Sequence, residues 1–399
     1  MIRALVLLIG LSLAGFSDDF DGKIFCGYQG WFRCGGDGGE VGWRHYGGAE
    51  GPTDENTGID IWPEVAEIDR RYDTRLRKAD GSTAQVFSSL DQQTVRTHFR
   101  WMREYGIDGA FLQRFGTETR DPRFRETLDT VLQNVSTAAA AEGREWSLMY
   151  DASGLKPGEL GALRDDLEHL LETKRLDVSA ANYGKYRGKP LLTTWGIGFG
   201  DRETDLDEWS AWIDHLHEQG FAVMLGVPYY WRTLDRDCIR DPRLHEVIAK
   251  ADVVSPWAVG RFGTPDDAAR LGREVVKKDL AWCQERKQGY LPVVFPGFSW
   301  HNLMKSRGTD AKFDQIPRLG GRFLWSQAVA AKNAGCRSVY VAMFDEMDEG
   351  TAIFKFDPDP PAGPPFLHEK EVPGDRYLRV CGAIGEWLRG ERGAGWPDF

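Results

Sequence analysis

Four carboxylates fall within five residues, at Asp345, Glu346, Asp348 and Glu349, directly after the apolar run Tyr340-Val-Ala-Met-Phe344. Packed together in an interior, they would repel one another. The cluster therefore faces solvent, a ligand or a cation. Cleavage of a glycosidic bond asks for such groups: one acid protonates the leaving oxygen, and a second serves as base or nucleophile. Glu346 and Glu349 stand three apart and share a face if the segment turns helically. Neighbouring carboxylates also split their pKa values, so that one stays protonated at working pH. Two other readings are open at this point. Asp345, Asp348 and Glu349 are hard oxygen ligands of the kind calcium takes. The acids could equally solvate a loop and cap the next helix.

Such groups work only if other elements hold them. Short apolar, β-branched runs alternate along the chain with amphipathic helical patterns. The expected strands are 23–28, 109–114, 146–150, 190–195, 222–227, 253–257, 291–295 and 338–344. Their interiors are nearly continuous hydrophobic stretches, as in parallel strands buried on both faces. The expected helices are 94–105, 121–141, 157–173, 205–219, 243–249, 266–284 and 323–334, with a last one over 375–389. The first of them puts Val95, Phe99 and Met102 on one face and stops at Gly106. Eight strand–helix cycles predict an α/β protein, a (β/α)8 TIM barrel forming a single catalytic domain over residues 18–399. An open doubly wound sheet is the competing fold. It is disfavoured because no Gly-rich phosphate loop follows the first strand to open a helix. The run 86–89 is placed as a loop piece outside the barrel.

In a barrel of this kind the active site lies at the carboxyl ends of the strands. The first strand is followed by Tyr28, Gln29 and Trp31, the second by Gln113 and Arg114, the third by Tyr150 and Asp151. Trp195 closes the fourth, Tyr229, Tyr230 and Trp231 the fifth, and Trp257 and Arg261 the sixth. Phe298, Trp300 and His301 follow the seventh, and the acids follow the eighth. Aromatic walls with a few convergent polar groups suit a sugar cleft, where rings stack and forked groups bind hydroxyls. Any one aromatic is as readily core; the pattern across all eight ends carries the inference. The expected substrate contacts are Tyr28, Trp31, Arg114, Asp151, Trp195, Tyr229, Tyr230, Trp257, Trp300 and His301, around catalytic Glu346 and Glu349.

Composition sets outer bounds. A formal charge of −11 without a basic run excludes a nucleic-acid surface. Arg3, the apolar stretch 4–16 and the small residues before Asp18 and Asp19 read as an export signal over 1–17, with a buried first helix as the alternative. The stretch is short for a bilayer span. The mature protein is thus expected to be secreted or periplasmic, with no stable membrane span. Six cysteines without a CxxC pair exclude the usual structural zinc spacing. Cys26 and Cys34 are the only pair close in sequence, and buried free thiols are an equal reading.

The segment Asp345-Glu346-Met347-Asp348-Glu349-Gly350-Thr351 resembles the Asn-Glu-Trp-His-Glu-Gly-Thr type of signature in glycoside hydrolase family 99. Phe87-Ser-Ser-Leu-Asp91, the helix after it and Gly106-Ile-Asp-Gly109 are similar to that family's Tyr-Ser-Ser-x-Asp loop, helix and strand entry. Tyr28-Gln-Gly-Trp-Phe32 is similar to its aromatic segment after the first strand. The resemblance spans residues 24–355. With its relative family 71, the family comprises endo-acting α-mannosidases and α-glucanases. The resemblance implies a retaining hydrolase of an α-linked oligosaccharide or polysaccharide that needs no cofactor or metal. It gives Glu346 the role of base on the sugar's 2-hydroxyl, which forms a 1,2-anhydro intermediate, and Glu349 that of acid and then base. Asp345 and Asp348 stand where the family has Asn and His, and Met347 where it has Trp, which leaves sugar and linkage open. A non-catalytic carbohydrate-binding protein on the same barrel is the alternative.

Overall fold

Continuous apolar runs can bury both faces only inside a layered α/β structure, and they do so here. The computed structural model describes residues 19–369 and 371–399, so the expected export signal over 1–17 lies outside the described residues. The chain runs through β1 (Ile24–Tyr28), the hairpin β2 (Tyr72–Arg77) and β3 (Thr83–Val86), α1 (Gln92–Glu104), β4 (Gly109–Phe115), α2 (Pro122–Glu142) and β5 (Glu145–Asp151). It continues through α3 (Gly161–Glu172), β6 (Lys185–Tyr186), β7 (Lys189–Trp195), α4 (Leu206–Glu218), β8 (Ala222–Pro228), α5 (Arg243–Ile248) and β9 (Val253–Trp257). The last part is α6 (Pro265–Leu271), α7 (Lys277–Glu285), β10 (Gly289–Tyr290), β11 (Val293–Val294), α8 (His301–Ser306), α9 (Arg322–Ala334), β12 (Val339–Val341) and α10 (Arg376–Arg389).

The parallel strands lie in the order β10-β9-β8-β7-β5-β4-β1-β12-β11. β10 and β11 are halves of one strand, interrupted where Pro292 has no N–H to donate. Leu291 N donates to Val254 O at 3.0 Å, and Tyr340 N donates to Pro292 O at 3.0 Å. The two ends of the sheet thus meet, and the chain is a (β/α)8 barrel, as the alternation predicts.

Alternation along each strand sorts its side chains. Phe25, Phe111, Met149, Met224, Val253 and Tyr340 fill the barrel interior. Cys26, Ala110, Leu148, Leu192, Val223 and Val341 pack outward beneath the helices. Glycine makes room twice near the mouth. A Cβ on Gly27 would come within 2.2 Å of the Met343 sulfur, and one on Gly226 within 2.4 Å of the Trp195 ring.

Helix ends follow local rules. Asp121 caps α2 by accepting from Arg123 N, with Pro122 in the first turn, and Gly143 ends it at φ 62°. The helix expected over 266–284 is broken into α6 and α7 by a π-turn at Gly272–Val276. The hairpin of β2 and β3 and the short helix α8 were not expected from the sequence. All six cysteines are buried and free. Among the described residues no helix is long and apolar enough to cross a membrane.

Candidate active site

Beyond β12 the chain turns into the acidic loop, and the end of β1 stitches it down. Gln29 N and Gly30 N donate to the two carboxylate oxygens of Asp345 at 2.7 and 2.9 Å. Asp345 is fully buried, so it anchors the loop and touches no substrate. Burial pushes its carboxyl up to about 7, against the pull of the two backbone donors. Glu346 comes next and is 5% exposed. One of its oxygens accepts from Gln29 Nε2 and the other from Thr351 Oγ, both at 2.7 Å. Glu349 is half-buried, and its carbonyl accepts from Ser299 N at 2.9 Å. Asp348 Oδ2 meets His45 Nδ1 at 3.0 Å. The His45 ring lies flat on Trp31, 4.0 Å away at 8°, and Trp31 rests on Phe115. His45 holds φ at 64°, a left-handed backbone that costs about 1–3 kcal/mol in a residue with a side chain and persists only where surrounding contacts enforce it.

Burial raises the carboxyls of both glutamates, and Asp348 beside them pushes in the same direction. The Glu349 charge is a further cause at Glu346, while Arg307 opposes the rise at Glu349. The two sites are therefore linked: once Glu349 is protonated, Glu346 ionises more readily. The donors on Glu346 from Gln29 and Thr351 favour its carboxylate and oppose the rise there. Two linked carboxyls of this kind can share one proton.

A pH prediction follows from the signs. If Glu349 serves as an acid, its carboxyl, pushed up to about 7, loses its proton as pH rises through neutrality, and kcat/KM is expected to fall on the alkaline side. Asp348→Asn removes a like charge from both sites, and its alkaline limb is expected to move about one pH unit toward acid. A limb that stays in place in the kcat/KM profile of the variant would show that Asp348 does not set the acid.

The mouth of the barrel forms one wall. Phe115 pairs in register with Asp151, and Asp151 with Trp195. The Trp195 and Trp257 rings meet edge to face at 5.6 Å, and Trp257 reaches Tyr340, whose hydroxyl lies 3.3 Å from Gln113 Nε2. Trp300 leans on Phe298 at 5.3 Å. Burial pushes the Asp151 carboxyl up to about 6, opposed by its bond from Ser153 N and by Arg202. Its charge also reaches Glu349. Trp31, Asp151, Trp195, Trp257 and Trp300 are all partly exposed.

The structure draws Tyr28 and Arg114 away from the cleft, and the pleat explains why. Tyr28 and Arg114 point outward from β1 and β4. Tyr28 is fully buried and its hydroxyl meets His98 Nδ1 at 2.9 Å. Arg114 is 1% exposed and clamps Asp166 and Asp129 beneath α2 and α3. Tyr229 and Tyr230 are buried, in the cluster against which Trp195, Trp257 and Trp300 pack, and also line a crevice with Arg270 and Lys278. His301 is held by its loop, with Nδ1 2.6 Å from Ala311 O and its backbone N–H bound by Asp60. Conversely, His45 and Thr351 enter the site unforeseen as individual contacts. Thr351 had a signal in the loop motif; His45 sits in irregular chain with none. Among the described residues no three His, Cys, Asp or Glu side chains are grouped so as to hold a metal ion.

The barrel superimposes on the family 99 endo-α-mannosidase from Bacteroides thetaiotaomicron with a TM-score of 0.64 at 16% identity, over 93% of this chain and 98% of that one. The same bacterium's endo-α-mannosidase in complex with bis-tris-propane matches at 0.62 and 16%, over 94% and 100%. The chain has the fold of these glycoside hydrolases. No protein-family model matches the sequence, and no curated protein matches it significantly.

Proposed function

We propose that the protein is a glycoside hydrolase that cleaves an α-linked oligosaccharide or polysaccharide with retention. The observation that carries this is the glutamate pair at the end of the eighth barrel strand: Glu346 accepting from two donors, and Glu349 without a comparable donor pair, beside an aromatic wall. In the first step Glu346 takes the proton of the sugar's 2-hydroxyl, whose oxygen bonds to the anomeric carbon. The bond to the leaving oxygen breaks as Glu349 protonates it. In the second, water gives a proton to Glu349 and attacks the anomeric carbon. The C1–O2 bond breaks, and O2 recovers its proton from Glu346. Two inversions give net retention. Export to a secreted or periplasmic location belongs to the same reading and rests on residues 1–17.

The test is release of sugar from α-mannans, α-glucans and aryl α-glycosides, with the first-formed anomer read by NMR. The α-anomer is expected. A β-anomer overturns retention, and binding without release makes the protein a carbohydrate-binding barrel.

A further inference from the structure

The mechanism proposed above depends on where the Glu349 carboxyl stands relative to Glu346, and both sit on one turn. Thr351 N and Ala352 N donate to Glu346 O at 3.1 and 2.9 Å, so the Glu346 end of that turn is held from within. The Glu349 end is held from outside. Ser299 N donates to Glu349 O at 2.9 Å. Arg318, shortly before α9, donates from Nη1 to Gly350 O at 2.9 Å and from Nη2 to Ala352 O at 2.7 Å. Between these anchors Gly350 holds φ at 65°, and a Cβ on it would come within 2.9 Å of Ser299 N. The backbone therefore bends sharply, against Ser299, just after the acid.

A guanidinium is a costly group for this task. Arg318 is 6% exposed, and its Nε is buried without a hydrogen-bond partner. Asp314 and Glu369 line a cavity with it, yet among the described residues it forms no ion pair. Burying a cation without a close counter-ion is unfavourable, and an apolar side chain of similar volume would pack the same space at lower cost. The surroundings are nevertheless shaped to it. The guanidinium lies 3.8 Å from the centre of the Tyr377 ring in α10. A Cβ on Gly297 would come within 2.6 Å of the Arg318 Cγ. What the guanidinium alone supplies is a rigid fork that spans two carbonyls of the acidic loop.

We propose that Arg318 is a positioning residue for the proton donor: through the carbonyls of Gly350 and Ala352 it fixes the turn that carries Glu349. This rests on the hydrolase reading above and deepens it. Arg318 acts through the backbone and touches no sugar.

The test compares wild type with Arg318→Lys on a natural α-glycan and on an aryl α-glycoside with an acidic phenol, with rates taken per folded protein. An ammonium cannot span the two carbonyls as the fork does. Arg318→Lys is expected to lower kcat/KM on the glycan by about 10- to 10²-fold, the scale of a misplaced catalytic group. The loss on the aryl substrate is expected to be about 10-fold smaller, because an acidic phenol departs without protonation. Arg318→Gln, which removes the charge and can reach only one carbonyl, is expected to show the same imbalance, and it decides if Arg318→Lys does not fold. A structural role alone would lower both substrates by one factor. Equal losses, or unchanged rates in both folded variants, overturn this inference and leave the hydrolase reading standing. Release by wild type from neither substrate, nor from α-mannan or α-glucan, removes both.

Discussion

Glu346→Gln and Glu349→Gln are each expected to lower kcat/KM on a natural glycan by about 10²- to 10⁴-fold, the scale of general acid–base assistance. Both substitutions keep the shape of the side chain, so folding is expected to survive. At position 346 an amide can still accept from Gln29 or Thr351 but not from both, a loss of about 1 kcal/mol. What separates the two variants is the leaving group. An aryl glycoside with an acidic phenol departs without protonation, so Glu349→Gln is expected to recover most of its rate on that substrate. Glu346→Gln is expected to remain impaired on both, because activation of the 2-hydroxyl is needed whatever departs. The double variant is expected to be little worse than the poorer single one, since residues acting as a unit do not add. If both singles turn over at the wild-type rate, the loop is structural and the roles assigned here are wrong. If the recovery appears in Glu346→Gln instead, the roles are exchanged.

The barrel was legible because its evidence is long-range: eight apolar runs at helical intervals leave few other ways to bury both faces of each strand. The acidic loop was legible because the composition of five residues is improbable for a packed interior. Individual side-chain destinations were harder, and the reason is parity. Reading the residues that close a strand selects the cleft-facing and the helix-facing side chain alike, and a one-residue step moves a side chain to the opposite face. Gln113 and Arg114 are neighbours at the end of β4, yet the first lies near Tyr340 inside the barrel and the second beneath the helices. The pleat could have been counted from Phe111, an interior filler two positions before Gln113. Nothing comparable locates His45. It stands in irregular chain between β1 and β2, and its place is fixed by contacts with Trp31 and Asp348, the latter 303 residues away. The hairpin was missed for another reason. Tyr72–Arg77 alternates buried and exposed positions, but charged residues at the exposed ones make so short a run resemble a loop.

Arg114 carries the largest expected effect on stability. Its Nε and Nη2 donate to both oxygens of Asp166 at 2.6 and 2.7 Å, and Nη2 also reaches Asp129 at 2.7 Å. The Tyr150 hydroxyl donates to Asp166 at 2.7 Å, and His169 approaches Asp129 at 3.2 Å. One guanidinium therefore ties β4 to α2 and α3. Removing it strands Asp166, 2% exposed, in a medium that solvates charge poorly, and leaves Asp129, 3% exposed, with only Arg175 at 3.4 Å and His169. Arg114→Met is expected to destabilise the fold by about 3–5 kcal/mol, most of it the penalty of unpaired charge. Arg114→Lys should recover only part, since an ammonium cannot reproduce the bidentate fork. Adding Asp166→Asn to Arg114→Met should restore stability relative to the single variant, because an uncompensated charge is then gone. Denaturant midpoints at constant m-value would measure each step. The same series decides where the side chain acts. A core clamp lowers stability and leaves kcat/KM of the folded fraction near wild type, whereas a sugar contact does the reverse. Lost turnover at unchanged stability would return Arg114 to the cleft and overturn the pleat assignment made from its burial.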